Sequence, residues 1–274
     1  MRVMTWNLWG RYGPWQARAE AIAATMAEVR PDVCGLQEVW SAGDRNFAAD
    51  LAGRLGLGWR WAMAAGTPTA EDPDVTGGNA ILSRWPILGV ANMPLPVPEA
   101  DQGRVAVHAR IQAPDGVLPM FTTHFTHHPY ASQTRVSQAR RLAEFVAKHA
   151  VPSSPQTGPT AGCDYPPVVT GDLNAEPDSD ELRLLGGRLT APAVEKQVLL
   201  DAWRAAHPTE PGFTWDRRNG HHNGNTILDM RIDYILVGLP RRGRGRIRSV
   251  RLAGNAPVNG LWPSDHFAVV ADLD

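Results

Sequence analysis

Cysteine is nearly absent. Cys34 and Cys163 are the only two among 274 residues, so no disulfide framework organises the chain. No run of 18 apolar residues occurs, so nothing in the sequence reads as a membrane span. Neither sign of charge is in excess: 27 Lys and Arg stand against 28 Asp and Glu, for a net charge of -1. That balance excludes coating nucleic acid by bulk charge, although a local basic groove stays open. The opening MRVMTWNLWG lacks the apolar stretch of a signal peptide and reads as the start of a strand. The expectation is a soluble, cytoplasmic protein with no membrane partner, working as a monomer. What is present is core-forming material. Hydrophobic residues make up 43% and charged residues 20%, which fits neither disorder nor a coiled coil. Tryptophan is unusually common, with ten against four Tyr and six Phe.

At roughly 150 residues per domain, this length allows one large domain or two small ones. Arg2–Leu8 reads as a strand. Trp15–Val29 reads as a helix, with Trp15, Ala19, Ile22, Ala23, Met26 and Val29 at three- and four-residue spacing, and Pro31 stops it. Val33–Val39 is a short apolar strand, Asn46–Leu55 a second helix, and Trp59–Ala64 and Ala80–Leu82 further strands. Arg104–Ile111 alternates, with Val105, Val107, Ala109 and Ile111 on one face. Asp115-Gly116 signals a hairpin turn into Val117–Thr126. Ser132–Lys148 is a helix, Val151–Pro166 a loop, and Val168–Thr170 a buried strand. Ile232–Val237, Arg246–Ala253 and Phe267–Leu273 complete the strands. This pattern predicts mixed sheets covered by helices. Polar residues of interest fall on both sides of the 151–166 loop, so a single domain spanning 1–274 is expected.

Those polar residues recur at strand ends. Asn7 ends the first strand, Glu38 the second and His124 the hairpin's return strand. Asp172 and Asn174 follow Val168–Thr170, Asp233 sits in IDYILV, and Asp265 and His266 precede the last strand. Each has a plain reading: Asn7 caps a turn, Glu38 is solvated, Asp172 and Asn174 make an Asx-turn. Asp233 is harder to set aside, because a charge inside an apolar strand needs a partner. Together the groups suit metal-assisted phosphoryl chemistry. Glu38 offers a hard oxygen to Mg²⁺ (or Mn²⁺), with Asn7 as neutral ligand or orienting group. Asp172 accepts a proton from water. Asn174 shares its face if the backbone stays extended. His266 paired with Asp233 is held as imidazolium, a donor to phosphate.

The strings TWN (Thr5–Asn7), LQE (Leu36–Glu38), TTH (Thr122–His124), GDLN (Gly171–Asn174), RIDYI (Arg231–Ile235) and PSDH (Pro263–His266), in that order, resemble the endonuclease/exonuclease/phosphatase superfamily. The resemblance implies an α/β four-layer sandwich, two packed mixed β-sheets flanked by helices, with the site at one end of the sheets. It implies Glu38 as main metal ligand with Asn7 beside it and Asp265 as a supporting group or second ligand. It implies Asp172 as activator of water, Asn174 as orienting group, Asp233 and His266 as a dyad, and His124 as a phosphate contact. Arg104 matches a phosphate-binding arginine. Asn79 stands where some relatives carry a carboxylate supporting the histidine, which puts an acid role for His124 in doubt.

Other features bear on substrate. His127 and His128 read as solvated or substrate-facing. Arg135 and Gln138 read as a solvated helix face. Asp216–Asn225, DRRNGHHNGN, reads either as a mobile loop over the site, with Asn219 among the residues able to meet an anionic substrate, or as an exposed hairpin tip. Arg241–Arg251 reads as an exposed hairpin with its arginines outward. Trp9, Trp40 and Trp262 either wall a pocket or pack the core. The expected function is hydrolysis of a phosphate ester, with a phosphodiester of a small molecule or nucleotide ranked first. A DNA or RNA nuclease is the alternative, and a non-catalytic phosphate-binding scaffold the reading from another class.

Overall fold

The computed structural model describes residues 1–55, 60–68, 74–97, 103–152, 162–222 and 228–274. In chain order the elements are β1 (Arg2–Asn7), α1 (Trp15–Val29), β2 (Val33–Ala42), β3 (Arg45–Asn46), α2 (Phe47–Arg54), β4 (Arg60–Pro68), β5 (Val75–Ser83), β6 (Ile87–Leu95), β7 (Arg104–Ala113) and β8 (Gly116–His124). There follow α3 (Ser132–His149), β9 (Val168–Asp172), α4 (Asp180–Leu185), β10 (Leu199–Asp201), α5 (Ala202–Ala206), a 3₁₀ turn at Gly220–His222, β11 (Asp233–Gly238), β12 (Ile247–Ala253) and β13 (Ala268–Leu273).

Two mixed sheets result. One runs β12-β13-β1-β2-β5-β4, with β3 on the end of β2; the other runs β10-β11-β9-β8-β7-β6. Strand periodicity distributes the side chains. Val3, Val33, Ile81 and Val269 of the first sheet meet Val107, Met120, Val168 and Ile235 of the second in one core between them. Their chain neighbours Met4, Cys34, Leu82 and Val270 face the other way, under Ile22 and Met26 of α1 and Phe47 and Leu51 of α2. Phe121, Val169 and Leu236 point outward under Leu142 and Val146 of α3 and Leu182 of α4. Helix, sheet, sheet, helix is the expected four-layer sandwich. Each such buried side chain stabilises it by about 1.5–3 kcal/mol.

The seam between the sheets also carries polar links. Gln37 Nε2 donates to Thr122 Oγ1 across it at 2.8 Å. Asn79 Nδ2 donates to the carbonyl of Val105 at 2.8 Å. Gly35 sits where a Cβ would run into the hydroxyls of Thr170 and Thr122, so glycine is what lets the two sheets approach there.

Several sequence expectations need correction. β6 was not foreseen: ILGVANMPL has no clean alternation, and its edge position leaves Leu88 and Val90 exposed. The short β3, β10, α4 and α5 were also unforeseen. On the other face of β7, His108 is buried between Phe121, at 4.5 Å between ring centroids, and His149 of α3, at 4.7 Å. Arg135 and Gln138 are buried rather than solvated. Arg135 Nε pairs with Glu181 of α4 at 3.1 Å, and Gln138 Nε2 donates to Thr126 Oγ1 at 3.0 Å. Helix α3 packs on both a sheet and α4, so more of its circumference is covered than one apolar stripe predicts. Trp40 belongs to the core. In β12, Val250 is buried while Arg248 and Arg251 point outward. Trp59, residues 153–161 of the expected loop and residues 223–225 of the Asp216–Asn225 segment lie outside the described residues.

Candidate active site

Strand direction brings the polar ends together. β1 and β2 are parallel, with Asn7 opposite Gln37, and β8 and β9 are parallel, with His124 opposite Asp172. β11 enters antiparallel, which sets Asp233 opposite Asp172. One end of both sheets therefore presents Asn7, Glu38, His124, Asp172 and Asp233 side by side.

Glu38 reaches this end through a bulge. Leu36 pairs with Ala80 and Val39 with Gly78, so Gln37 and Glu38 together face Asn79 alone. Gln37 stays in the seam while Glu38, at φ +51°, turns out towards the site. Asn174 is the second site residue in the left-handed region, at φ +47°. Non-glycine residues rarely adopt this backbone, and where they do they cluster at functional sites. The strand thus stops at Asp172 rather than staying extended to Asn174. The Asn174 amide N–H donates to Asp172 Oδ1 at 3.0 Å, an Asx-type turn, and this turn brings the two side chains together.

The Asn7 amide Nδ2 donates to Glu38 Oε1 at 3.3 Å and to Asp172 Oδ2 at 3.0 Å. Its oxygen accepts the backbone N–H of Trp9 at 3.0 Å, so Asn7 orients carboxylates rather than offering a free oxygen. His266 Nδ1 donates to Asp233 Oδ2 at 2.9 Å, and its Nε2 lies 3.8 Å from Asp172 Oδ2. Burial by itself would lower the His266 pKa, but Asp233, Asp265 and Asp172 outweigh it and hold the imidazole well above its ordinary value. The PSDH segment is clamped in place: Trp6 Nε1 donates to the His266 carbonyl at 2.9 Å, and Ser264 Oγ to the Asn7 carbonyl at 2.7 Å.

His124 behaves differently. Its Nδ1 faces Arg104 Nη1 at 3.1 Å. Its Nε2 lies 3.4 Å from Asp172 Oδ2. Burial, then Arg104, push its pKa well below the ordinary value, so His124 is a neutral imidazole. Asn174 Nδ2 lies 3.0 Å from that Nε2 and donates to the Phe125 carbonyl at 3.1 Å.

Asp172 and Asp265 are both driven up to about 7, mainly by burial and next by a neighbouring carboxylate, Asp233 for the first and, after the opposing His266, Glu38 for the second. Buried oxygens that repel one another in this way suit a hard divalent cation. Ligand-type atoms of Asp172, Asp233 and His266 also lie within 4.8 Å of one another. His266 Nδ1 is committed to Asp233, which leaves Nε2 as the ring nitrogen for a metal there. Glu38, bonded by Asn7 and close enough to Asp265 to raise its pKa, offers further carboxylate oxygens.

The side-chain amides of Asn79 and Asn219, both expected at the site, the first beside the histidine or substrate and the second on the substrate, are engaged elsewhere. Asn79 Nδ2 bonds to Val105 across the seam and makes no bond to His124. Asn219 is buried; its Nδ2 donates to the Ser264 carbonyl at 2.8 Å and its Oδ1 accepts from His221 N at 3.1 Å, tying 216–222 to the PSDH segment. Arg18, which sequence reading passed over, lies buried beneath the site. Its guanidinium donates to the carbonyls of Leu8, Trp9, Gly10, Tyr12 and Pro263, and burial lowers its pKa to about 10. The signal was available: Arg18 shares the buried stripe of α1 with Trp15 and Ile22.

Residues 4–156 and 157–266 match the Endonuclease/Exonuclease/phosphatase family. The chain belongs to this family. Its members are metal-dependent hydrolytic phosphoesterases, and no helix among the described residues is long and apolar enough to cross a membrane. Among known proteins, a Caenorhabditis elegans protein described as a putative neutral sphingomyelinase is 25% identical over 315 residues, covering 99% of this chain and 66% of that protein. Among solved structures, an endonuclease/exonuclease/phosphatase from Beutenbergia cavernae superposes with a TM-score of 0.73 at 22% identity, covering 100% of this chain and 71% of that one. D. rerio TDP2 complexed with a single-strand DNA product superposes with a TM-score of 0.74 at 18% identity, covering 100% and 98%.

Proposed function

We propose that this chain is a divalent-metal-dependent phosphodiesterase acting on a small phosphodiester or a nucleotide. The observation that carries the reading is the environment of Asp172 Oδ2, held by Asn7 at 3.0 Å and faced by His266 Nε2 at 3.8 Å. A carboxylate that accepts and an imidazolium that donates thus converge on one point. Asp172 takes the proton of the attacking water, whose oxygen bonds to phosphorus as the ester oxygen leaves. His266, kept charged by Asp233, donates to the phosphoryl oxygen as its charge grows. Asn174 and the neutral His124 position the phosphate, and Arg104 neutralises it. Glu38 and Asp265, with Asn7 orienting the Glu38 carboxylate, would hold Mg²⁺ or Mn²⁺. When bound, the ion supplies charge neutralisation at a phosphoryl oxygen.

A small substrate is supported by the balance of charge, 27 Lys and Arg against 28 Asp and Glu, where a nuclease needs an extended basic groove. A nuclease is the second reading, favoured by the likeness to TDP2 bound to a DNA product. The assay is hydrolysis of bis(4-nitrophenyl) phosphate with Mg²⁺ or Mn²⁺, beside a panel of phosphomonoesters, single-stranded and duplex DNA, and sphingomyelin. Turnover of the small diester that disappears with EDTA is the expected result. No turnover on any phosphoester would favour a phosphate-binding scaffold instead.

A further inference from the structure

The edge of the second sheet, at β10, carries a separate concentration of charge. A cavity of about 570 Å³ opens there, bounded by α4 on one side and by α5 and the loop after it on the other. That volume lies in the range of small-molecule sites. None of Asn7, Glu38, His124, Asp172, Asp233 or His266 contributes to its wall. Four arginines do: Arg183 of α4, Arg188 just after it, Arg204 of α5 and Arg231 just before β11.

Carboxylates do not balance them. Arg183 pairs with Asp180 at 3.0 Å, and the buried Arg231 with Asp201 at 2.9 Å. Glu210, also in the wall, lies 3.4 Å from His207. Arg188 and Arg204 are exposed and make no ion pair among the described residues, and Asp178 is the one other acid in the wall. Arg188 responds to the imbalance: burial, then Arg204, lower its pKa, and Arg183 adds to this against Asp201.

The frame that holds these cations is tied down. Gly187, at φ +66°, turns the chain so that Arg188 N donates to the Arg183 carbonyl at 2.8 Å. Asp201 Oδ1 accepts Arg204 N at 3.3 Å and so caps α5. Arg231 Nε donates to the Pro211 carbonyl at 3.1 Å, and Trp203 Nε1 to the Glu210 carbonyl at 2.9 Å, which fixes the loop between them. Guanidiniums kept close on such a frame repel one another until an anion enters. A phosphate group carries about −1.5 to −2 charges near pH 7 and has oxygens for more than one guanidinium fork, whereas a lone carboxylate serves one fork. The apolar part of the wall is Pro177, Pro208 and Pro211, which have no long side chain to enter a bilayer, so the fitting ligand is soluble.

We propose that this cavity binds a small soluble anion bearing a phosphate group, gripped by Arg188 and Arg204 with Arg183 and Arg231 beside them. The site stands apart from the strand-end carboxylates and does not depend on the hydrolase reading.

The test is calorimetric titration of the full chain with inorganic pyrophosphate, in EDTA and at constant ionic strength, so that neither a divalent ion nor turnover enters the result. Arg188→Gln and Arg204→Gln are each expected to raise Kd about tenfold, the scale of a lost charge-assisted hydrogen bond. Arg104→Gln, at the strand-end site, should leave this Kd within about twofold, as distant positions act independently. Removing one of two repelling, exposed cations should leave the ligand-free thermal midpoint equal or higher, so the weaker binding is not a folding defect. An unchanged Kd in both cavity variants, or a loss confined to Arg104→Gln, puts the pyrophosphate elsewhere and overturns the site. So does the absence of binding by the unmodified protein at millimolar pyrophosphate.

Discussion

Asn7 and Asp172 belong to different sheets and meet at 3.0 Å, with the same Asn7 amide reaching Glu38 at 3.3 Å. One neutral side chain thus sets the spacing of two carboxylates that would otherwise repel. Asn7→Ala should lower activity and apparent metal affinity about 10–100-fold, the usual cost of removing an orienting partner of a ligand. Metal titration of activity in the variant measures both. Full activity at the original metal concentration would remove Asn7 from the machinery.

Asp172→Ala and His266→Ala should each lower kcat by about 10²–10⁴, the range for acid–base and charge-stabilising groups. Their double variant should lose far less than the product of the two, because both act on one phosphoryl group. Near-normal turnover by purified Asp172→Ala would end the assignment of Asp172 as the base.

Arg18→Met should destabilise the protein by about 3–5 kcal/mol, since five carbonyls lose a charged donor in a buried place. Urea unfolding measures the loss. A change below about 1 kcal/mol would show that water replaces the guanidinium without cost.

His108 gives a pH signature remote from the site. Burial lowers its pKa from 6.5 to about 3, so between those values the unfolded chain binds a proton that the fold rejects. Its contribution to stability is fully present above about pH 6.5 and declines as the pH falls, by up to about 1.4 kcal/mol per unit. Other groups titrate in the same window, so the comparison with His108→Leu isolates the effect. The variant should show the shallower loss of unfolding free energy between pH 6 and 4.5. Parallel slopes would mean that His108 is protonated inside the fold.

Gly35→Ala should destabilise by about 1–3 kcal/mol or more, because the added methyl meets the Thr170 and Thr122 hydroxyls across the seam. The thermal midpoint should drop, and a paired Thr170→Ala should recover part of it.

The alternation of Val3 with Met4 and of Val168 with Val169 is written in the chain, because each sheet has core on both faces and every residue has a place. The polar residues closing those strands were legible only as a set, since each alone also reads as a cap, a turn or a solvated end, and strand pairing brings them to one end of the sheets. What escaped depended on partners far away in sequence. Asn79 looked like a substrate or histidine contact and instead binds the Val105 backbone. Arg135 looked solvated until Glu181 of α4 arrived beside it. Asn219 read as part of a mobile tip because nothing local announces the Ser264 carbonyl that holds it. β6 is stabilised by one neighbour, β7, and its own residues carry little pattern.

The bulge at Gln37 and Glu38 carries a further implication. Adjacent residues on a regular strand must point to opposite faces. The extra residue here frees Glu38 from that alternation while Gln37 keeps its place between the sheets. Removing a single residue from this stretch would leave both sheets able to pair yet swing the acid away from its companions. The strand-end constellation and the architecture would then come apart: a well-folded molecule whose Glu38 carboxylate no longer meets Asn7.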